Sequence, residues 1–353
     1  MVNVYYVILK GNNLALAETE FNTLWRLYSK EENGLELVSN VVYKLVTKIK
    51  LDKSCDFFSR LKSRLTYTNY IGEFLEEFSD IDDYNENILK VGFEEYDGVP
   101  FRFKVKKSRI KEKLAYDERV LAGPIWKSFS NPIVSIDDYK VEFNPMFIEG
   151  SESILFCKKF YENEKDYKRR MPTLRPVKMP YTLKSDMARA CVNLLGIDDG
   201  VILDPFCGTG GILLEAYDMG FSVIGNDINI NDLYNMRENF DYFYPHAYES
   251  GRVLNTLADS QTQFLDENSI DGIVSDIPYG KCSRKLGDDL YNRYLESSQK
   301  YLKKDAKMII VYANFSDFSV LAEKYFEIEV KIEEFINKSM TRYILILKNS
   351  KKE

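Results

Sequence analysis

The feature that most constrains the fold is an apolar strand that runs into a glycine-rich turn and then into a helix. It reads V-I-L-D-P-F-C-G-T-G-G-I-L-L-E-A and covers residues 201–216. Glycine tolerates positive φ and lets a ligand approach the backbone, and the first turn of a helix offers unpaired N–H groups. We therefore predict an open α/β sheet that binds a small molecule at this turn. A tight turn without a ligand is the alternative.

The residue types at the turn favour S-adenosylmethionine over a dinucleotide. A dinucleotide fingerprint has G-x-G-x-x-G, but the sixth position counted from Gly208 is Leu213. Asp204 precedes the turn, where its carboxylate would repel a pyrophosphate and attract an ammonium group such as that of the methionine part of S-adenosylmethionine. The residues predicted to bind the methyl donor at this turn are Asp204, Phe206, Cys207, Gly208 and Gly210.

Two further strand ends supply candidate ligands for the rest of the donor. Asp227 follows the second strand, where an acid can accept hydrogen bonds from ribose hydroxyls, and Ile228 offers an apolar flank for the adenine ring. Asp259 and Ser260 follow the third strand, where an acid could bind the adenine amino group. Each residue alone is more often a turn or capping residue. Their register with the glycine turn makes the donor site the stronger interpretation.

The fourth strand ends in S-D-I-P-Y-G, residues 275–280. An amine on a nucleobase is a poor nucleophile, and groups that accept its N–H hydrogens help its lone pair to react. We predict that the Asp276 carboxylate and the Ile277 carbonyl are these acceptors, that Pro278 stiffens the turn, and that Tyr279 stacks on a flipped base. A plain strand-ending turn is the alternative for this stretch taken in isolation.

Composition limits the other possibilities. The 353 residues suggest two or three domains, and no apolar run is long enough for a membrane span. The first residues read as a strand rather than a signal peptide, so we expect a cytoplasmic protein. Five cysteines without a C-x-x-C pair argue against disulfides and a metal site, and the single histidine, His246, leaves acid-base work to carboxylates. The net charge is −7, yet basic residues gather in 101–126 and 158–178, as in a phosphate-contacting surface.

The chain divides by pattern into α+β and α/β regions. Residues 1–70 and 71–161 each read as α+β, and residues 162–180, with Pro172, Pro176 and Pro180, read as a linker. Ser185 or Asp186 is expected to cap the next helix. From 181 to 353 strands mostly alternate with helices, and two β-rich stretches joined by a longer loop, residues 336–341, end the chain. We predict a mostly parallel sheet that finishes in an antiparallel hairpin.

These motifs together resemble a known family. The strings D-P-F-C-G-T-G-G-I-L-L-E-A, N-D-I-N and S-D-I-P-Y-G resemble class I methyltransferases that modify exocyclic amines. With R-P-V-K-M-P-Y-T-L-K-S-D-M-A-R-A before them and S-M-T-R at 339–342, they are similar to the THUMP-containing tRNA guanosine N2-methyltransferases, above all the archaeal enzymes that act on guanosine 10. The resemblance implies an N-terminal ferredoxin-like region, a THUMP domain that grips tRNA, and a Rossmann-like methyltransferase domain.

For the site, the resemblance implies that Asp204, Gly208, Gly210, Asp227 and Asp259 bind the donor and that Asp276 and Tyr279 serve the base. The usual motif has proline where this chain has Ile277, which removes some rigidity but keeps the carbonyl. Another acceptor-stem guanosine, adenine N6 and a catalytically silent RNA-binding scaffold remain the alternatives. The number of methyl groups added, the oligomeric state and the need for a small activating protein subunit stay open.

Overall fold

The computed structural model describes residues 2–29, 36–43, 46–52, 57–108, 117–148, 151–179, 182–249, 252–254, 264–278, 288–315 and 318–350. The chain forms two compact units and passes between them several times. The first unit contains residues 1–14, 31–62 and 68–164, and the second contains residues 15–30, 63–67 and 165–353. Within the described residues, no helix has the length and apolar character needed to cross a membrane.

The strands in chain order are β1 (Val2–Leu9), β2 (Glu36–Tyr43), β3 (Val46–Asp52), β4 (Thr68–Phe78), β5 (Phe101–Phe103), β6 (Lys106–Ser108), β7 (Val141–Ile148), β8 (Ile154–Glu162), β9 (Val201–Asp204), β10 (Ser222–Asn226), β11 (Arg252–Leu254), β12 (Ile270–Asp276), β13 (Leu302–Ala313), β14 (Glu327–Asn337) and β15 (Met340–Lys348). The helices are α1 (Leu14–Ser29), α2 (Phe57–Arg64), α3 (Ile81–Asn87), α4 (Glu118–Ser128), α5 (Ser185–Asn193), α6 (Gly211–Asp218), α7 (Ile230–Phe243), α8 (Asp288–Tyr301) and α9 (Phe318–Ala322).

The first unit is built on one sheet with the order β2-β3-β1-β4-β8-β7-β5, and β6 also pairs with β7. Its core is rich in aromatic rings, among which Phe143 stacks on Phe156 with 5.9 Å between ring centroids. Because β4 pairs with both β1 and β8, strands of the two predicted N-terminal domains share this sheet. The division at residue 70 and the THUMP assignment therefore stay predictions.

The second unit has the sheet order β11-β10-β9-β12-β13-β15-β14. The strands from β11 to β13 pair in parallel, and β15 runs antiparallel to both β13 and β14. This confirms the predicted Rossmann-like sheet with its C-terminal hairpin. The chain order reverses between β9 and β12, and ligands of such sheets bind outside the carboxyl ends of the strands at that point. We call this border, where β9 ends at Asp204 and β12 at Asp276, the carboxyl edge.

Two local expectations were wrong, and the segment predicted as a linker has local structure. The N-cap of α5 is Lys184, without a side-chain hydrogen bond, because the Ser185 hydroxyl donates to the Arg170 carbonyl (2.7 Å) instead. Pairing in the C-terminal hairpin continues to Asn337 and Met340, so the connection has two residues rather than a longer loop. The predicted linker at 162–180 contains short 3-10 helices at 166–170 and 172–174 and contributes buried side chains to the second unit.

Candidate active site

The turn between β9 and α6 is held by backbone hydrogen bonds. The Gly210 N–H donates to the Cys207 carbonyl (2.8 Å), and the Cys207 N–H donates to the Asn226 carbonyl (2.9 Å). Gly210 has φ +80°, and a Cβ there would lie 2.4 Å from Cγ of Met236. Gly208 has φ +48°, and no described atom beyond its two chain neighbours lies within 4 Å of where its Cβ would be. Packing thus requires Gly210, whereas Gly208 borders open space in which a ligand can reach the backbone.

Asp227, directly after β10, fastens the same turn. Its Oδ2 accepts a hydrogen bond from the Gly208 N–H and its Oδ1 accepts one from the Asn229 N–H, both at 2.9 Å. Burial is the main reason that the pKa of Asp227 is raised. A carboxylate has about four lone-pair sites, so Asp227 keeps acceptor capacity for a ligand hydroxyl. Ile228 follows with 67% of its surface exposed, so an uncovered apolar side chain lies next to this acid.

Asp204, at the end of β9, is a buried carboxyl group. Its Oδ1 accepts hydrogen bonds from the Ser275 hydroxyl (2.6 Å) and the Phe206 N–H (3.2 Å). Burial raises the pKa of Asp204 to about 7, these hydrogen bonds oppose the rise, and the charges of Asp227 and Asp276 add to it. The main contributions to this pKa shift include no positive charge. A cationic ligand group would therefore find a buried negative partner here.

Ser275 joins the two acids of the carboxyl edge. It is fully buried in β12, one residue before Asp276, and its hydroxyl donates to Asp204 of the neighbouring strand β9. This contact brings the end of β12 beside the start of the glycine turn, as the sheet order predicts. The sequence reasoning missed Ser275, although its place between an apolar strand and Asp276 was a signal for it.

Asp276 closes β12, with a partly exposed side chain whose Oδ1 is buried and has no hydrogen-bond partner among the described residues. Burial raises the pKa of Asp276 to about 7, the positive charge of Arg342 opposes the rise, and the negative charge of Glu334 adds to it. A buried carboxylate oxygen without a donor is costly, and such atoms in folded proteins are frequently completed by a ligand. Asp276 is therefore suited to accept a hydrogen bond from a bound molecule.

The turn after Asp276 is held by two hydrogen bonds. The Ile277 N–H donates to the Val311 carbonyl (3.0 Å), and the Tyr291 hydroxyl donates to the Pro278 carbonyl (2.7 Å). The Ile277 side chain is 1% exposed and packs in the core with Tyr291 and Tyr294. The N–H of Ile277, which proline would lack, thus ties this turn to β13.

The other predicted donor-binding residues fall into two groups. Phe206 is partly buried and packs edge-on against Tyr294 (5.3 Å between centroids), and Cys207 is buried with a thiol pKa raised far above its usual range by burial. Both form the wall of the turn, and Cys207 stays protonated. Tyr279, Asp259 and Ser260 lie outside the described residues. Among the residues that the structure describes, no cluster of His, Cys, Asp and Glu could hold a metal ion.

Basic residues of the first predicted run are largely paired with carboxylates. The buried Glu142 on β7 lies 3.0 Å from Nζ of Lys159 and 3.8 Å from both a guanidinium nitrogen of Arg102 and Nζ of Lys106. Lys106 also lies 2.7 Å from Glu162. Arg109, Lys111 and Lys113 of the same run are outside the described residues. The described part is thus a mixed-charge network rather than a row of free cations.

Two arginines of the second run are structural. The guanidinium of Arg170 is fully buried and donates to both oxygens of Glu215 (2.9 and 2.7 Å) and to Asp218. Arg175 is 1% exposed and donates from Nε to the Arg170 carbonyl (2.9 Å). Lys168, Arg169 and Lys178 are exposed. The buried ion pairs of Arg170 with Glu215 and Asp218 therefore hold this basic segment, predicted as a linker, in the second unit.

The chain was compared with known proteins. Residues 172–244 and 245–344 match the family model described as UPF0020, RMKL-like, methyltransferase domain. The tRNA (guanine(10)-N2)-dimethyltransferase of Methanothermobacter thermautotrophicus is 28% identical over 291 residues, which are 81% of this chain and 84% of that protein. The probable tRNA (guanine(10)-N2)-dimethyltransferase of Methanothermococcus thermolithotrophicus is 31% identical over 177 residues, which are 46% of this chain and 98% of that protein.

Solved structures share the fold at low sequence identity. TrmN from Thermus thermophilus superimposes with a TM-score of 0.56 at 15% identity and covers 98% of this chain and 99% of its own. A possible methylase from Clostridium difficile 630 gives a TM-score of 0.57 at 17% identity over the full length of both chains. With the matches in sequence, these results show that the chain carries an RMKL-like methyltransferase domain of the Rossmann-like class and belongs to the tRNA (guanine(10)-N2)-dimethyltransferase family.

Proposed function

We propose that this protein transfers methyl groups from S-adenosylmethionine to the exocyclic N2 of a guanosine in tRNA, with guanosine 10 as the target. Two relatives that are named for this reaction align with 81% and 91% of this chain. The observation that carries the proposal is the Asp276 carboxylate, which has a buried oxygen without a described partner at the carboxyl edge, one residue after the serine that bonds Asp204.

The residues at the glycine turn fit the methyl donor. Asp204 is a buried carboxyl on which two other acids, Asp227 and Asp276, act electrostatically, so it would pair with the ammonium group of the methionine part. Open space at Gly208 lets the donor lie against the backbone. Asp227 would accept hydrogen bonds from the ribose hydroxyls, and the exposed Ile228 would cover one face of the adenine. Asp259 and Ser260 would bind the adenine amino group. When bound, S-adenosylmethionine supplies an electrophilic methyl carbon.

The residues after Ser275 would prepare the amine for attack. The guanine N2 lone pair is delocalised into the ring, and hydrogen bonds from N2 to the Asp276 carboxylate and the Ile277 carbonyl favour its localisation on nitrogen. As the nitrogen–carbon bond forms, the amine becomes positively charged, and the negative charge of Asp276 stabilises that charge. Asp276 can then take up the proton that N2 loses. Tyr279 would stack on the flipped guanine.

The first unit would supply the grip on the RNA. In this proposal residues 1–70 form the ferredoxin-like domain and residues 71–161 the THUMP domain. In the second unit, the exposed Lys168, Arg169 and Lys178 would contact phosphates of the tRNA. We place the protein in the cytoplasm, where its tRNA substrate is found.

The experiment combines a methyl-labelled donor with two tRNA transcripts that differ at one base. A transcript with guanosine at position 10 should take up label, and one with inosine there, which lacks only the 2-amino group, should not. Nucleoside mass spectrometry should find N2-methylguanosine or N2,N2-dimethylguanosine at position 10. Label on another acceptor-stem guanosine or on adenine would identify the alternative targets, and no label on any tRNA would indicate a silent scaffold; each would overturn the proposal.

Variants of one strand test the assigned residue. Asp276→Ala should lower the rate of transfer about 100-fold or more while donor binding, measured by calorimetry, is retained. Asp271→Asn is the matched control, because Asp271 lies at the opposite end of β12 and bonds the Val201 N–H and Lys303. Its rate should stay near that of the wild type. An Asp276→Ala protein that keeps normal transfer would refute the role given to this carboxylate.

A further inference from the structure

The ion pair of the C-terminal hairpin lies on the same face of the sheet as Asp276. Asp276 on β12 is paired with Val311 on β13, and Val311 is paired with Ile344 on β15. Arg342 is two residues from Ile344, and Glu334 on β14 is opposite Arg342. Laterally paired residues and residues two apart in a strand share a face of the sheet. The carboxylate of Asp276 and the two members of the pair are therefore on one face.

Arg342 is held in place by Glu334 and faces a small neighbour. Its guanidinium lies 3.0 Å from Oε2 of Glu334, and both side chains are mostly buried, with 16% and 17% exposed. The residue opposite Arg342 on β13 is Ala313, whose methyl group leaves room for a long side chain to cross the strand toward β12. The electrostatics agree with this placement on a shared face, because the charge of Arg342 lowers the pKa of Asp276 and the charge of Glu334 raises it.

We propose that Arg342, anchored by Glu334, is a positioning residue that keeps the Asp276 carboxylate ionised and directed toward the target amine. The inference rests on the proposed function for its purpose. Arg342 acts through Asp276 and is not itself a catalytic residue. Without a nearby positive charge, a carboxyl in this surrounding binds a proton and can then accept fewer hydrogen bonds from the amine.

Four titratable groups in the described part of the chain interact electrostatically with Asp276. Arg342 and Glu334 act from the hairpin, Asp204 from β9, and Cys191 from α5. Burial raises the pKa of the Cys191 thiol well above the neutral range, so that group stays uncharged. Arg342 is thus the positive charge that acts on Asp276 among these groups, and its removal leaves Glu334 as an uncompensated negative neighbour.

The test uses opposite charge changes in the same ion pair. Single-turnover transfer to the guanosine-10 transcript is measured from pH 5.5 to 9 for the wild type, Arg342→Met, Arg342→Lys and Glu334→Gln. Arg342→Met should move the acidic limb of the rate profile upward by about one pH unit, so that the rate falls about tenfold at pH 6.5 and recovers at pH 9. Glu334→Gln should move the limb downward, and Arg342→Lys should lie close to the wild type.

A merely structural ion pair gives a different result. Breaking it from either side would lower the rate in parallel at every pH, and that outcome would overturn the proposal. Lys307→Met is the matched control, because Lys307 forms a similar pair with Glu329 (2.7 Å) between β13 and β14. It should lower the melting temperature without moving the pH profile. A shift of the limb in this control as large as that in Arg342→Met would likewise refute the inference.

A second measurement does not depend on methyl transfer. The pH dependence of unfolding is compared for Arg342→Met in the wild-type background and in the Asp276→Asn background. We expect Arg342→Met to change that dependence only when Asp276 is present, since the coupling is between these two groups. The same change in both backgrounds would overturn the positioning role even if tRNA is methylated. If Arg342 and Asp276 are coupled in this way but the protein methylates no tRNA, the inference about Arg342 holds and the proposed function is refuted.

Discussion

Replacing Asp276 with asparagine should stabilise the folded protein while it abolishes transfer. The pKa of this carboxyl rises from 3.8 to about 7 in the folded protein. Each pKa unit corresponds to about 1.4 kcal/mol, so ionising Asp276 in the fold opposes stability by up to about 4 kcal/mol at high pH. The amide has nearly the same shape and carries no charge. Oδ1 of Asp276 has no described donor that the substitution could displace.

The sign and the pH range follow from the raised pKa. Because the folded state holds this proton more tightly than the unfolded state, the wild type loses stability as the pH rises from about 4 to about 7. Between pH 5.5 and pH 8.5 the free energy of unfolding of the wild type should fall, relative to that of the variant, by about 2 kcal/mol at most. We expect about 1 to 2 kcal/mol, because water reaches the partly exposed side chain and weakens the effect. Urea unfolding at the two pH values measures this difference in the free energy of unfolding, and Asp271→Asn is the control. A variant that is less stable than the wild type at pH 8.5, or whose difference from it is independent of pH, would refute the reasoning.

Three further predictions concern the turns and the donor. Gly210→Ala should destabilise the protein by more than about 1 kcal/mol, as measured by urea unfolding, because φ is +80° and the new methyl would meet Met236. Ile277→Pro, although proline is usual in the motif, should cost about 2 kcal/mol or more in the same assay, because it removes the N–H bonded to Val311 and a buried side chain. Donor binding measured by calorimetry should weaken about tenfold from pH 8 to pH 6, because Asp204, with a pKa of about 7, becomes protonated. An affinity that does not depend on pH in this range would contradict the pairing of Asp204 with the ammonium group.

The sheet of the second unit could be predicted because its signals are local. Apolar runs, glycines and strand-ending acids lie close together in the sequence, and the rules for parallel sheets bring Asp204, Asp227 and Asp276 to one edge. These rules predict which residues lie at this edge, but they do not predict the individual contacts that the residues make there. Thus Asp227 was predicted as a ligand for ribose, and the sequence did not reveal that its two oxygens also hold the turn.

Contacts between distant segments could not be predicted. Ser275 meets Asp204 across 71 positions, and Arg170 meets Glu215 across 45. A basic stretch with prolines looks solvated when its carboxylate partners are unknown, so the burial of Arg170 was missed. The sequence indicated Arg342 only as part of the S-M-T-R string that is similar to the family, because its relation to Asp276 depends on the register of four strands.

The ionisation of Asp204 and that of Asp276, the two acids of the carboxyl edge, are coupled. Asp276 raises the pKa of Asp204, and by linkage the charge of Asp204 opposes ionisation of Asp276. A cation that pairs with Asp204 reduces this repulsion, so ionisation of Asp276 becomes easier when the donor's ammonium group is bound. Arg342 acts in the same direction from the hairpin side. In the proposed mechanism, the Asp276 carboxylate is therefore most fully charged when the methyl donor is bound, so that donor binding would prepare the site for the target amine.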